Sequence, residues 1–89
     1  MISICIPTYN FDIKALIFSL EEEIKSKNLD AEIVVIDDGS AEKFKEINRK
    51  TCENLNYVEL ESNVGRAKIR NLFLNFAKGD YFLFLDCDS

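Results

Sequence analysis

The chain reads as an α/β protein, a three-layer α/β/α arrangement around a mostly parallel four-stranded sheet. The first observation behind this is order: β-rich runs and stretches of helical periodicity alternate as β-α-β-α-β-α-β, the pattern of parallel strands joined by right-handed crossovers. The second is that two runs, Glu32-Ile33-Val34-Val35-Ile36 and Tyr81-Phe82-Leu83-Phe84-Leu85, are continuously apolar over four or five residues. Continuous runs predict strands covered on both faces, because a half-buried strand alternates. The third is that strand ends lead into polar loops, which places chemistry along one edge of the sheet.

Ile2-Ser3-Ile4-Cys5-Ile6 is the first strand, and Pro7 is expected to halt it because proline cannot extend a central strand. Thr8-Tyr9-Asn10 follows as a loop, with Asn10 or Asp12 placed to cap the next helix. From Asp12 to about Lys27, Ile13, Leu16, Ile17, Leu20 and Ile24 recur at helical spacing opposite Glu21, Glu22, Glu23, Lys25 and Lys27. Asn28, Leu29 and Asp30 close that helix, and residues 32–36 form the second strand. Beyond Ser40, a mobile outward helix carries a thin apolar stripe of Phe44, Ile47 and Cys52. Tyr57-Val58-Glu59-Leu60 alternates like an edge strand. Arg66 to Phe76 is a third helix with Ile69, Leu72, Phe73 and Phe76 inward and Gly79 as its stop. The closing strand is Tyr81–Leu85.

Eighty-nine residues make a single domain, 1–89, that buries only about 60% of its unfolded surface. Net charge is −5, which argues against nucleic acid as a partner. No apolar run approaches the roughly 18 residues of a membrane span, and Met1-Ile2-Ser3-Ile4 lacks the basic start of a signal peptide. The expectation is a cytoplasmic protein, or one at the inner face of a membrane. Cys5, Cys52 and Cys87 form no CxxC pair, and the chain has no histidine to complete a zinc site or to serve as a general base. Catalysis therefore has to run on carboxylates, a metal ion or residues outside this stretch.

Neither GxGxxG nor GxxxxGK[ST] occurs, so no glycine-rich turn cradles phosphate. Asp86-Cys87-Asp88 instead follows an apolar strand directly. Two hard oxygen donors at a strand end suit Mg²⁺ or Mn²⁺ bridging to phosphate oxygens, although a bare D-x-D elsewhere is usually turn or cap chemistry. Asp37-Asp38-Gly39-Ser40 is either an Asx turn before a helix or a carboxylate that accepts from a base N–H. Tyr9 is a core ring or a stacking platform, and Arg70 faces solvent or reaches inward toward phosphate.

Taken together, four stretches resemble the family 2 glycosyltransferases, with the GT-A fold. They are Ser3-Ile4-Cys5-Ile6-Pro7-Thr8-Tyr9-Asn10, Val34-Val35-Ile36-Asp37-Asp38-Gly39-Ser40, the N-x-G-x-x-x-x-R-N run from Asn63 to Asn71, and Phe84-Leu85-Asp86-Cys87-Asp88-Ser89. The resemblance spans nearly the whole chain. It implies a nucleotide-sugar donor, UDP-linked by preference, and a transfer of hexosyl or N-acetylhexosaminyl type to a hydroxyl acceptor with inversion, in cell-surface polysaccharide synthesis. Pro7, Thr8, Tyr9 and Asn10 would border the base, with Asp37 and Asp38 at its edge, and Asn63, Gly65 and Arg70 beside the nucleotide. Asp86 would lie near ribose and metal, and Asp86 with Asp88 would hold the Mg²⁺ or Mn²⁺ ion. The resemblance places the catalytic base downstream of the D-x-D, so this stretch is expected to bind donor without catalysing transfer alone. It also implies that the family's sheet continues past the last strand, leaving Phe82 and Phe84 uncovered and residues 81–85 as an edge for a homo-oligomer. Two other readings follow from the residues: a receiver-like Mg²⁺-binding signalling domain, and a non-catalytic assembly module.

Overall fold

A computed structural model describes residues 1–87. Its elements are β1 (Ile2–Thr8), α1 (Lys14–Ser26), β2 (Ala31–Asp37), α2 (Glu42–Thr51), β3 (Asn56–Glu59), α3 (Arg66–Phe76) and β4 (Tyr81–Phe84). The four strands are all parallel, in the order β3-β2-β1-β4. The predicted α/β class and element order hold.

Alternate residues of β1, β2 and β3 feed two cores. Ile4, Ile6, Ile33 and Val35 pack with Ile13, Ile17 and Cys52 on the face that α1 and α2 cover. Cys5, Val34 and Ile36 pack with Ile69 and Phe73 of α3 on the other face. The direction in which strands are added across the sheet reverses between β1, whose helix leads to β2 on one side, and β4, which arrives from β3 through α3 on the other. That switch point, at the carboxyl ends of β1 and β4, is where open α/β sheets leave a crevice.

Pro7 does not halt β1. The strand continues to Thr8 and pairs with β2 as far as Thr8↔Asp37, whereas its pairing with β4 stops at Cys5↔Phe84. Cys5 faces β4, since its carbonyl accepts the Leu85 N–H at 3.0 Å, and Thr8 faces β2, since its carbonyl accepts the Asp38 N–H at 2.8 Å. Pro7, two residues after Cys5, therefore turns its donor-less nitrogen toward β4, just where that ladder ends, and β2 loses nothing.

The α2 stripe also departs from expectation. Ile47 is exposed, and the fully buried position is Asn48. Its Oδ1 accepts the Ile13 N–H (3.1 Å) and its Nδ2 donates to the Phe11 carbonyl (2.7 Å), so one amide side chain satisfies two backbone groups of the β1–α1 loop. Neither Asn10 nor Asp12 is the N-cap of α1: that position is Ile13, which makes no side-chain cap bond. Asp12, one residue before it, accepts the Lys14 N–H at 2.9 Å, and Asn10 is engaged elsewhere.

Gly79 does not end α3; the helix stops at Phe76 and Ala77 is already extended. Gly79 instead lies against the start of β1, where an added Cβ would sit 2.6 Å from Ser3 Oγ and 2.7 Å from the Met1 carbonyl oxygen. β4 is an edge strand covered on one face only, contrary to its unbroken apolar run. Phe82 and Phe84 pack toward α3, and Tyr81 (74% exposed) and Leu83 (50%) are the uncovered pair. Among the described residues no helix is long and apolar enough to cross a membrane.

Candidate functional site

The turn after β2 organises the cleft at the switch point. Asp37 is wholly buried, and its Oδ1 accepts the Ser40 N–H at 2.8 Å, closing an Asx turn. Its Oδ2 is buried with no hydrogen-bond partner among the described residues. Asn10, in the left-handed region at φ 48°, ties the β1 loop to this turn: its N–H donates to Ser40 Oγ and its Oδ1 accepts the Ala41 N–H, both at 2.8 Å. Asp37 and Asn10 therefore brace the wall from behind, and neither lines the cleft.

Asp38 faces the other way. Its Oδ1 accepts the Val64 N–H (2.7 Å), its Oδ2 accepts the Gly65 N–H (3.2 Å), and its carbonyl accepts from Asn63 Nδ2 (3.2 Å). One carboxylate thus pins the loop that leads into α3. Gly39, at φ 76°, allows the close approach this needs, because a Cβ there would stand 2.5 Å from the Ser62 carbonyl carbon and 2.6 Å from the Asn63 nitrogen. Gly65 also has a left-handed φ of 89°, which turns the chain into the helix.

The resulting cleft has two adjoining lobes. The larger, about 290 Å³, is lined by Pro7, Thr8, Tyr9, Asp38, Asn63 and Gly65, and by Arg66, Ile69, Asp86 and Cys87. The smaller, about 270 Å³, shares Pro7, Arg66, Ile69 and Asp86 and adds Arg70 and Phe84. Tyr9 is 52% exposed and borders the cleft, so it is not a core residue. Arg70 lies over the Phe84 ring, 4.6 Å from its centroid, and Phe84 stands edge-on to Phe73. The Cys87 thiol donates to the Pro7 carbonyl (3.6 Å) and lies 3.5 Å from Thr8 Oγ1, which holds the Asp86–Cys87 segment against β1.

Tyr9, Asp38 and Asp86, predicted from three separate stretches, therefore meet around one space, and Pro7, Thr8, Asn63 and Gly65 join them. Arg70 belongs to the adjoining lobe. Asp88 lies outside the described residues. Arg66 was not among the predicted residues, yet it lines both lobes; its signal was its place four residues before Arg70 on the same helix face. Among the described residues no three acidic, cysteine or histidine side chains converge to enclose a metal ion. The hard-oxygen chemistry that fits a cation at the cleft is the Asp86 carboxylate, which suits a Mg²⁺-type ion held by one or two carboxylates and completed by phosphate oxygens.

Comparison with known proteins agrees with this geometry. A model of Glycosyl transferase family 2 matches residues 3–89. Chondroitin synthase of Escherichia coli is 40% identical over 91 residues, covering 98% of this chain and 13% of its own. A mannosyltransferase of Pyrobaculum calidifontis, solved with GDP-Man and Mn²⁺, superposes with a TM-score of 0.74 at 27% identity, over 98% of this chain and 27% of that one. Staphylococcus aureus TarS 1–349 with UDP-GlcNAc superposes at 0.68 with 34% identity, over 98% and 26%. The chain spans between 10% and 36% of the length of the curated relatives it matches. These matches do not favour the receiver-like reading. A parallel α/β sheet, a cleft at its switch point and a family match running from the first strand through the acidic tip converge: the chain belongs to glycosyl transferase family 2 and has the GT-A fold.

Proposed function

We propose that this chain is the donor-binding part of an inverting glycosyltransferase that moves a hexosyl or N-acetylhexosaminyl group from a UDP-sugar to a hydroxyl acceptor. The observation that carries the reading is the shared space around Tyr9, Asp38 and Asp86. A nucleobase stacks on the exposed Tyr9 ring beside Pro7 and Thr8. Asp38 keeps lone pairs beyond the two amides it holds, so it can still accept a base N–H. Asn63 and Gly65 border the nucleotide, and Asp37 and Asn10 keep that wall rigid. Asp86, with Asp88 in the same D-x-D, holds the Mg²⁺ or Mn²⁺ ion, which when bound supplies Lewis-acid stabilisation of the departing diphosphate. Support for a cation and a nucleotide sugar comes from the Mn²⁺ and GDP-Man of one neighbour and the UDP-GlcNAc of another.

The base that deprotonates the acceptor lies downstream of the D-x-D in this reading, and the reaction takes place on the cytoplasmic side. Chondroitin and teichoic-acid enzymes among the relatives support a role in cell-surface polysaccharide synthesis. The uncovered Tyr81–Leu83 edge makes a homo-oligomer through residues 81–85, unless the rest of a longer protein covers it; a monomer by light scattering at high concentration removes that part. The direct test is calorimetric titration with UDP and UDP-sugars, with and without Mn²⁺. Binding should require Tyr9 and weaken in Asp86→Ala when Mn²⁺ is present. UDP binding that ignores both Mn²⁺ and Asp86→Ala removes the metal role, and no UDP binding at all removes the reading.

A further inference from the structure

We infer that Arg66 is a binding residue for the diphosphate of the bound nucleotide. The inference rests on the nucleotide reading above and assigns a contact that reading does not use. The two lobes of the cleft share Pro7, Arg66, Ile69 and Asp86, so these residues form its waist. Tyr9, Asp38 and Asn63 belong to one lobe, and Arg70 and Phe84 to the other. A nucleotide sugar with its base on Tyr9 must carry its phosphates across the waist before its sugar enters the second lobe. One carboxylate and one guanidinium meet it there.

The guanidinium is free to do so. Among the described residues the Arg66 side chain makes no hydrogen bond, ion pair or ring contact, whereas Arg49 is held by Glu59, Arg70 by the Phe84 ring and Lys45 by the Leu60 carbonyl. Carboxylates are not scarce: the chain has 16 acidic residues against 11 lysines and arginines. What distinguishes Arg66 from the chain's other unpaired cations is its place on the waist of the cleft. Its position also costs something, because Arg66 is the first residue of α3, whose first turn holds no acidic residue and whose cap makes no side-chain bond. A cation at the positive end of a helix is unfavourable by itself, and an anion bound across it reverses the sign. The planar fork of arginine matches two phosphate oxygens at once.

The experiment separates phosphate from base. UDP and uridine are titrated against the protein and against Arg66→Gln and Arg66→Lys, and GDP with guanosine is run alongside so that base preference does not decide the outcome. Arg66→Gln should weaken diphosphate binding about tenfold, the loss of one charge-assisted contact, leave nucleoside binding unchanged and melt as the parent does. Arg66→Lys should recover part of the loss. Undiminished diphosphate binding in Arg66→Gln, or equal loss for nucleoside and nucleotide, overturns the assignment and leaves the nucleotide reading standing. A parent protein that binds neither diphosphate overturns both.

Discussion

Replacing Asp38 by alanine tests the hub of the cleft. The carboxylate accepts two backbone N–H groups, from Val64 at 2.7 Å and from Gly65 at 3.2 Å, and is itself 6% exposed. A hydrogen bond to a charged acceptor contributes about 1.5–3 kcal/mol, and the second, longer bond sits at the lower end. Val64 and Gly65 are half-buried, so water recovers part of the loss, and the net cost should be about 2–3 kcal/mol. A domain of this size melts about 4–8 °C lower per kcal/mol, so Asp38→Ala should lower Tm by about 10–20 °C. Asp38→Asn keeps one acceptor but turns an NH₂ toward the second amide, and should lie between the two. Circular dichroism melts give the first number, and hydrogen exchange at the Val64 and Gly65 amides locates the change. A Tm within about 3 °C of the parent, with those amides still protected, would refute the claim that this side chain holds the loop.

Other substitutions probe the supports. Asn48→Leu leaves the Ile13 N–H and the Phe11 carbonyl without their partner, so urea unfolding should show a loss of about 2–4 kcal/mol; a loss under about 1 kcal/mol would mean that the loop finds other partners. Burial pushes the Cys5 thiol up to about 11 and the Cys52 thiol up to about 12, so iodoacetamide at neutral pH should label the half-buried Cys87 first, and saturating UDP should slow that labelling. Earlier labelling of Cys5 or Cys52 would contradict their burial. Arg49 donates to both oxygens of Glu59 (2.9 and 2.8 Å) and holds that carboxyl below its usual range. A depressed folded pKa means that the stabilisation is present above the unfolded value of roughly 4.3 and is lost as pH falls through the folded one. Tm of Glu59→Gln should therefore fall less steeply between about pH 5 and pH 3 than that of the parent; parallel curves would show that the pair adds nothing.

The architecture was legible because its signals were local and repeated. Ile33 to Ile36 could only be a doubly covered strand, and the spacing of Ile69, Leu72, Phe73 and Phe76 set α3 at its observed bounds. What escaped depends on partners distant in the chain. Asn48 reads as a gap in an apolar stripe until the Phe11–Ile13 backbone is placed beside it. Gly79 reads as a helix stop until Ser3 is seen pressing on it. Tyr81 and Leu83 look buried from their own run, since nothing in that run says that β4 ends the described sheet. In the cleft, residue types in order along the chain named Tyr9, Asp38 and Asp86, but only their placement separated Asp38, which lines the space, from Asp37, which lies behind it.

Pro7 has a reach beyond its own strand. One missing backbone proton on β1 decides where its neighbour lets go, so the length of β4 is written partly in a residue 74 positions before its first. The two strands behave like a zipper with a stop sewn into one tape: below the stop they run locked together by backbone bonds, and above it, among the described residues, it is the Cys87 side chain that still reaches across to β1. An ordinary residue at this position would let the teeth close one rung higher and draw Asp86 into the fabric of the sheet. A newly slow-exchanging amide at position 7 would record that closure.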